Sequence, residues 1–177
     1  MSMYNVNSSI PKTLVRAMVQ NVGYILASQY DYNRENIKNE SLWDCIKGIL
    51  DTPISPELLP PDKDGNMLQL TEDSIGPYIL NDFFLYYTLR FGLNPTKIYE
   101  LAKEAVRQSN EYKFGNNEIK RWLKKFYNRF AKAQFKRNCC PDGVKVGSVS
   151  FSPRGDWRMP TEFDIEAYIT EIDNIEN

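Results

Sequence analysis

Lys136 and Arg137 end a long basic run and are followed at once by Asn138, Cys139, Cys140 and Pro141. Cationic side chains at the end of an element, beside a loop, can be aimed at an anionic ligand in a way that mid-helix ones cannot. The run also carries Lys120, Arg121, Lys124, Lys125, Arg129 and Lys132, with Glu118 as its one acidic offset. Two readings stand side by side: a solvated polar face opposite an aromatic stripe, or a cationic surface for phosphate. A second group is crowded into Pro153-Arg154-Gly155-Asp156-Trp157-Arg158. An arginine fork suits phosphate or carboxylate, and an indole offers an apolar plate, yet the same residues could form a structural ion pair that holds the loop down. A third candidate is Lys12 at a helix start, where an ammonium and free backbone N–H groups could meet an anion together.

Other chemistries are excluded. The chain has no histidine, so imidazole bases, Ser-His-Asp triads and histidine metal sites are absent. Its cysteines, Cys45, Cys139 and Cys140, do not make a four-ligand zinc set and read as structural residues of a reducing cytoplasm. Neither a P-loop nor a G-x-G-x-x-G run occurs. Asp62, Asp64, Glu72 and Asp73 lack the spacing of an EF-hand and read as a solvated acidic loop. With 22 basic and 23 acidic residues the net charge is −1, which argues against a dedicated nucleic-acid or membrane-surface protein. No apolar run approaches the roughly 20 residues that span a bilayer. The opening MSMYNVN lacks the order of a signal peptide and reads as a cut through a longer chain.

The elements that must position these groups are mostly helical. At 177 residues and 42% hydrophobic, the chain can form one domain with a real core. Ser8 and Ser9 before Ile10-Pro11 predict a helix start, followed by Leu14, Val15, Met18, Val19, Val22 and Ile25 at helical spacing. Ser41 caps a second helix carrying Trp43 and Ile46. Residues 51–76 are proline-rich and predict a long loop. From Pro77 to Phe91 the sequence is apolar almost all round, which predicts a helix at the centre of the core, ended by Gly92. Asn94-Pro95 opens the next helix, and a fifth runs from about Asn117 to Lys136 with Ile119, Trp122, Leu123, Phe126, Tyr127 and Phe130 as its stripe. Val144, Val146 and Val149 predict a short strand or hairpin within a loop over 138–160. Thr161 and Asp164 form a capping box for a last helix.

The run WLKKFYNRFAKAQFKRNCCPDGVKVGSVSFSPRGDWRMP (122–160) closely resembles the C-terminal signature of bacterial-type glutamine-dependent NAD synthetases, in which QFKR is followed by a P-[DN]-G-P-KV segment and SPRGDWR. YNVNSSIPKTLV (4–15), SPELLP (55–60) and IGPYILNDFFLYYTLRFGLNPTKI (75–98) fit the same family in the same order. Val144 departs from it, standing where the family often has proline. The resemblance implies a single segment, 1–177, from the C-terminal part of the synthetase domain. Its fold would be the mainly helical portion of a Rossmann-like adenine-nucleotide hydrolase-type α/β domain.

In that family a nitrilase-type domain releases ammonia from glutamine. The synthetase domain uses ATP to adenylate the nicotinate carboxylate of deamido-NAD, and ammonia then displaces AMP. The SGGxDS nucleotide loop and the glutaminase domain do not occur in this sequence. The resemblance therefore implies part of an ATP- and Mg2+-dependent ligase, inactive and without bound cofactor when alone. Its partners would be the rest of the synthetase and the glutaminase domain, small-molecule nucleotides and further copies in a homo-oligomer, in the cytoplasm. By the same resemblance Lys136 contacts deamido-NAD with Arg137 beside it, and Arg154 and Asp156 belong to a loop approaching the dinucleotide. Lys12 stands near the ATP phosphates, and Ser55 opens a mobile lid that excludes water from the acyl-adenylate. The alternatives are a helical nucleic-acid-binding module built on the basic helix, or an oligomerisation segment.

Overall fold

The computed structural model describes residues 4–29, 37–52 and 71–176. In chain order the elements are β1 (Tyr4–Asn5), α1 (Lys12–Ala27), α2 (Glu40–Asp51), α3 (Thr71–Ile75), α4 (Tyr78–Phe91), α5 (Pro95–Gln108), α6 (Asn116–Lys132), α7 (Gln134–Asn138), β2 (Asp142–Gly143) and α8 (Glu166–Asp173). The mainly helical class expected from the sequence is what the structure has. The chain falls into two compact units where its length suggests one: a larger unit of residues 1–10 and 75–177, and a smaller unit of residues 11–74.

In the smaller unit α1 packs on α2. Gly23 makes this possible, because a Cβ there would lie 2.7 Å from two carbons of Ile46. Tyr24 and Trp43 meet edge to face with ring centroids 5.2 Å apart, an arrangement aromatic pairs favour. The Asn39 side chain caps α2 by accepting from the Leu42 N–H at 3.0 Å, so the cap is Asn39 and not the expected Ser41. Helix α2 continues through Asp51 and α3 begins at Thr71, which makes the ends of the expected 51–76 loop helical. Ser55 and the proline-rich stretch 53–70 lie outside the described residues.

The larger unit is built on α6, which packs against α4, α5 and α8. Ile119, Leu123, Phe126 and Tyr127 recur at helical spacing and are all buried. They meet Leu80 and Phe84 of α4, Ile98, Tyr99 and Ala102 of α5, and Ile172 of α8 in one cluster. Truncating a side chain as enclosed as Leu123 to alanine costs about 2–5 kcal/mol. The centre of the core is therefore α6, and the expectation for α4 is corrected. Although α4 is apolar all round, the described residues bury Leu80 and Phe84 but leave Tyr86 and Phe91 53% and 54% exposed. Gly92, left-handed at φ 62°, ends α4, and Asn94 caps α5 by accepting from the Lys97 N–H.

Three local expectations give way to tertiary bonds. The predicted fifth helix breaks at Ala133 into α6 and α7. The valines form no strand; β2 is Asp142–Gly143, and it pairs in parallel with β1, Tyr4 opposite Asp142 and Asn5 opposite Gly143. Thr161 does not cap α8: its hydroxyl accepts from Asn138 Nδ2 at 2.8 Å, while Asp164 accepts from the Glu166 N–H. Among the described residues no helix is long and apolar enough to cross a membrane.

Candidate functional site

The basic helix spends several of its charges on the fold. Lys120 Nζ donates to the carbonyls of Asp173 and Ile175 at 3.1 and 2.8 Å, satisfying acceptors at the C-terminal end of α8. Lys124 pairs with Asp173 at 2.7 Å. Arg121 and Lys125 both lie over the Trp122 ring, at 4.5 and 5.4 Å from the centroid. The neighbouring aromatics Phe126 and Tyr127 are buried, so they are not displayed as a platform for bases.

At the end of the run, α7 divides its residues between two tasks. Gln134 is fully buried; its amide donates to Asn138 Oδ1 at 3.0 Å and to the Met159 carbonyl at 3.1 Å, and its oxygen accepts from Arg137 Nε at 2.8 Å. Arg137 also donates to the Phe130 carbonyl and lies 4.3 Å from the centroid of the Phe130 ring. Burial lowers its pKa from the ordinary arginine value. Phe135 and Lys136 face outward: Phe135 is 51% exposed, and the Lys136 ammonium lies 5.9 Å from the centroid of its ring. Thus Gln134 and Asn138 fasten the following segment, Arg137 holds Gln134 from within the helices, and Lys136 is presented to solvent.

That loop, 138–160, is tied at several points. Arg154 donates to Asp142 Oδ1 and to the Cys140 carbonyl. Asp156 accepts from Lys145 Nζ at 2.8 Å and from the Ser150 N–H at 2.9 Å. The Lys145 bond, then the Ser150 bond, hold its carboxyl below the usual aspartate range. Ser9 Oγ donates to the Val144 carbonyl and bonds Ser150 Oγ, a use of this serine that replaces helix capping. Gly143 lies so close to β1 and its following turn that an added Cβ would fall 2.3 Å from the Asn5 carbonyl oxygen. The structure thus brings Arg154 and Asp156 into one loop, closed at its end by α7. Lys12, the first residue of α1, is exposed and belongs to the smaller unit.

Behind residues 156–160 is a cavity of about 330 Å³. Tyr127 and Phe130 of α6, Trp157 and Phe163 of the loop segments, and Tyr168 of α8 form its walls, with Thr88 of α4 beside Tyr127. The Tyr127 and Tyr168 rings stack at 5.2 Å, and Phe130 meets Trp157 at 5.4 Å. Burial pushes the Tyr127 hydroxyl up to about 12, against the opposing effect of its Thr88 contact at 3.3 Å. The Trp157 Nε1 is buried and finds no hydrogen-bond partner among the described residues.

Sequence reasoning passed over Gln134 and this cavity. The first had a visible signal: Gln134 falls four residues beyond Phe130, in phase with the apolar stripe, where a polar residue must find buried partners. The cavity had none, because its walls come from three helices and a loop. Among the described residues no group of three or more His, Cys, Asp or Glu could hold a metal ion.

No family model matches the chain. It is 36% identical, over 98% of its length, to the glutamine-dependent NAD(+) synthetases of Mycobacterium leprae (strain TN) and Mycobacterium tuberculosis (strain ATCC 25618 / H37Rv). The aligned region is 26% of each relative, so the chain spans about a quarter of their length. The crystal structure of a glutamine-dependent NAD(+) synthetase from Cytophaga hutchinsonii superposes with a TM-score of 0.57 at 16% identity, covering 97% of this chain and 22% of that one, a likeness of fold.

Proposed function

The chain is homologous over nearly its whole length to a stretch of the glutamine-dependent NAD(+) synthetases, and we propose that it is the C-terminal part of such an enzyme's synthetase domain. The parent joins ammonia, released from glutamine, to deamido-NAD with ATP and Mg2+ as co-reactants. Its synthetase domain has the Rossmann-like fold of adenine-nucleotide α-hydrolases, of which this chain is the helical portion. The observation that carries the site assignment is Lys136, exposed on a helical turn whose other polar members are committed to fixing a loop.

The pyrophosphate linking the two halves of deamido-NAD is an anion without a fixed partner of its own. An exposed cation on that turn can neutralise it, and Lys136 is that group. Arg137 positions the turn from inside. Arg154 and Asp156 shape the loop that approaches the dinucleotide, their present partners Asp142 and Lys145 keeping both charges balanced. Lys12 serves the phosphates of ATP, where negative charge builds as pyrophosphate departs, and Ser55 with the segment around it covers the nucleotide. The described residues offer no donor set for Mg2+, so no step through the metal is assigned to them. The remaining synthetase and glutaminase domains are the chain's partners, in a cytoplasmic homo-oligomer. Alone, the chain is inactive.

Complementation in trans tests the reading. This chain is mixed with the remaining N-terminal portion of a synthetase, and NAD formation is followed from deamido-NAD, ATP and ammonia. Turnover is expected only in the mixture, and turnover by this chain alone would overturn its assignment as an incomplete site. In an intact relative, Lys136→Ala is expected to impair use of deamido-NAD while glutamine hydrolysis persists. Unchanged synthetase kinetics would remove Lys136 from the site.

A further inference from the structure

We propose that Gln134 is a positioning residue of the dinucleotide site, holding Lys136 in place relative to the loop that carries Arg154 and Asp156. The inference rests on the reading that Lys136 meets deamido-NAD, and it adds what sets the place of that lysine. Helix α7 is five residues long and follows α6 after a break at Ala133. Isolated helices of fewer than about 12 residues are marginal, because nucleation is costly and few bonds follow it. The direction of α7 therefore depends on side-chain ties to the rest of its unit.

Gln134 makes the central tie. Its side chain is fully buried; Nε2 donates to the Met159 carbonyl at 3.1 Å and to Asn138 Oδ1 at 3.0 Å, and Oε1 accepts from Arg137 Nε at 2.8 Å. Asn138 passes the tie on, its Nδ2 donating to Thr161 Oγ1 at 2.8 Å. The two ends of the Gln134 amide are not interchangeable, because a carbonyl only accepts and an arginine Nε only donates. The residue type is dictated by these partners. Glutamate would set a carboxylate oxygen against the Met159 carbonyl, and methionine would fill the space with no donor for it.

The tie joins the two segments that carry the candidate residues. Lys136 follows Gln134 by two residues, and Asp156 precedes Met159 by three. Arg137, which also donates to the Phe130 carbonyl, braces the amide from the side of α6. One buried amide thus links the turn that presents the ammonium to the end of the loop. A displacement of about 1 Å in a binding group can cost as much as about 100-fold. Gln134 acts on dinucleotide binding in this way, through Lys136 and without touching the ligand.

The test uses the full-length parent of this chain, supplied with ammonia, and measures kcat and KM for deamido-NAD in a double-mutant cycle. Gln134→Met is expected to raise KM about tenfold, the partial loss of one charge-assisted contact, with the KM for ATP unchanged. In the Lys136→Ala background the same change should add little, since the group it positions is gone. A merely structural loss would lower kcat, leave KM in place and multiply with Lys136→Ala. If Gln134→Met does not fold, Asn138→Ala, at an exposed position, takes its place in the cycle. Asn138→Asp should then restore KM, because its carboxylate still accepts from Gln134 and can accept from the Thr161 hydroxyl. An unchanged KM, effects that multiply, or no rescue by Asn138→Asp would each overturn the proposal, while a raised KM in Lys136→Ala keeps that lysine in the site. A silent Lys136→Ala would remove the lysine from the site, and this inference with it.

Discussion

Gln134 and Lys136 stand two residues apart in α7, and their substitutions separate architecture from chemistry. Gln134→Ala would strand the Met159 carbonyl and Arg137 Nε without their partner in a buried setting. Its expected cost is about 2–3 kcal/mol, measured by urea unfolding. Lys136→Ala removes an exposed side chain and is expected to change stability by no more than about 0.5 kcal/mol. A stable Gln134→Ala variant would mean that the loop is fastened elsewhere. Tyr127 offers a second test through pH. Burial raises its hydroxyl from 10.0 to about 12, so the folded state holds that proton more tightly than the unfolded chain. The associated stability is fully present below pH 10 and is lost as pH rises from about 10 to 12, amounting to roughly 2–3 kcal/mol. Unfolding followed over this range should fall less steeply for Tyr127→Phe than for the parent chain. That Lys136 ends the basic run beside a loop was legible in the sequence because it is a local pattern, and the structure leaves it exposed there. The partners of Arg154 and Asp156 were not, since Asp142 and Lys145 reach them only through the fold of the loop.

Helices α1 and α2 are held close by what Gly23 lacks. Alanine would raise helix propensity by about 1 kcal/mol, but its methyl would press on Ile46, an overpacking that costs about 1–3 kcal/mol. Gly23→Ala is therefore expected to be neutral to destabilising by about 2 kcal/mol. Adding Ile46→Val should recover part of the loss, because it frees one of the crowded methyl groups. A double-mutant cycle reads this directly, and strict additivity would show that the two residues do not meet. Most helices were legible from spacing and punctuation: Gly92 ends α4 and Asn94 opens α5 where their types require. The errors fell where a side chain with local capping potential was taken by a distant partner, as Thr161 by Asn138 and Ser9 by Val144 and Ser150. The exposed face of α4 was a different kind of miss. An all-round apolar pattern says that a helix can be buried on every side, and within the described residues Tyr86 and Phe91 are not.

The two units differ in how much core they own. Among the described residues the larger one gathers side chains from three helices around α6, whereas the smaller one buries Gly23, Ala27 and Ile46 between two helices. Because burial supplies most of a helix's stability, amides of α1 and α2 should exchange with solvent faster than those of α6. Hydrogen exchange read by mass spectrometry checks this, and equal protection would mean that the two units open together. The pairing of β1 with β2 bears on the order of assembly. Ser9 meets Val144 and Ser150 across separations of 135 and 141 residues, and the strand beside it closes a circuit of similar length. Bringing such distant ends together costs roughly 4 kcal/mol in loop entropy, set against two short strands and a few polar bonds. The helices on either side lower that cost once they form, so the junction is expected to form late in folding. On that expectation the loop bearing Arg154 and Asp156 would reach its final shape only after the helical scaffold is in place, so protection of its amides in pulse-labelled exchange should lag that of α6.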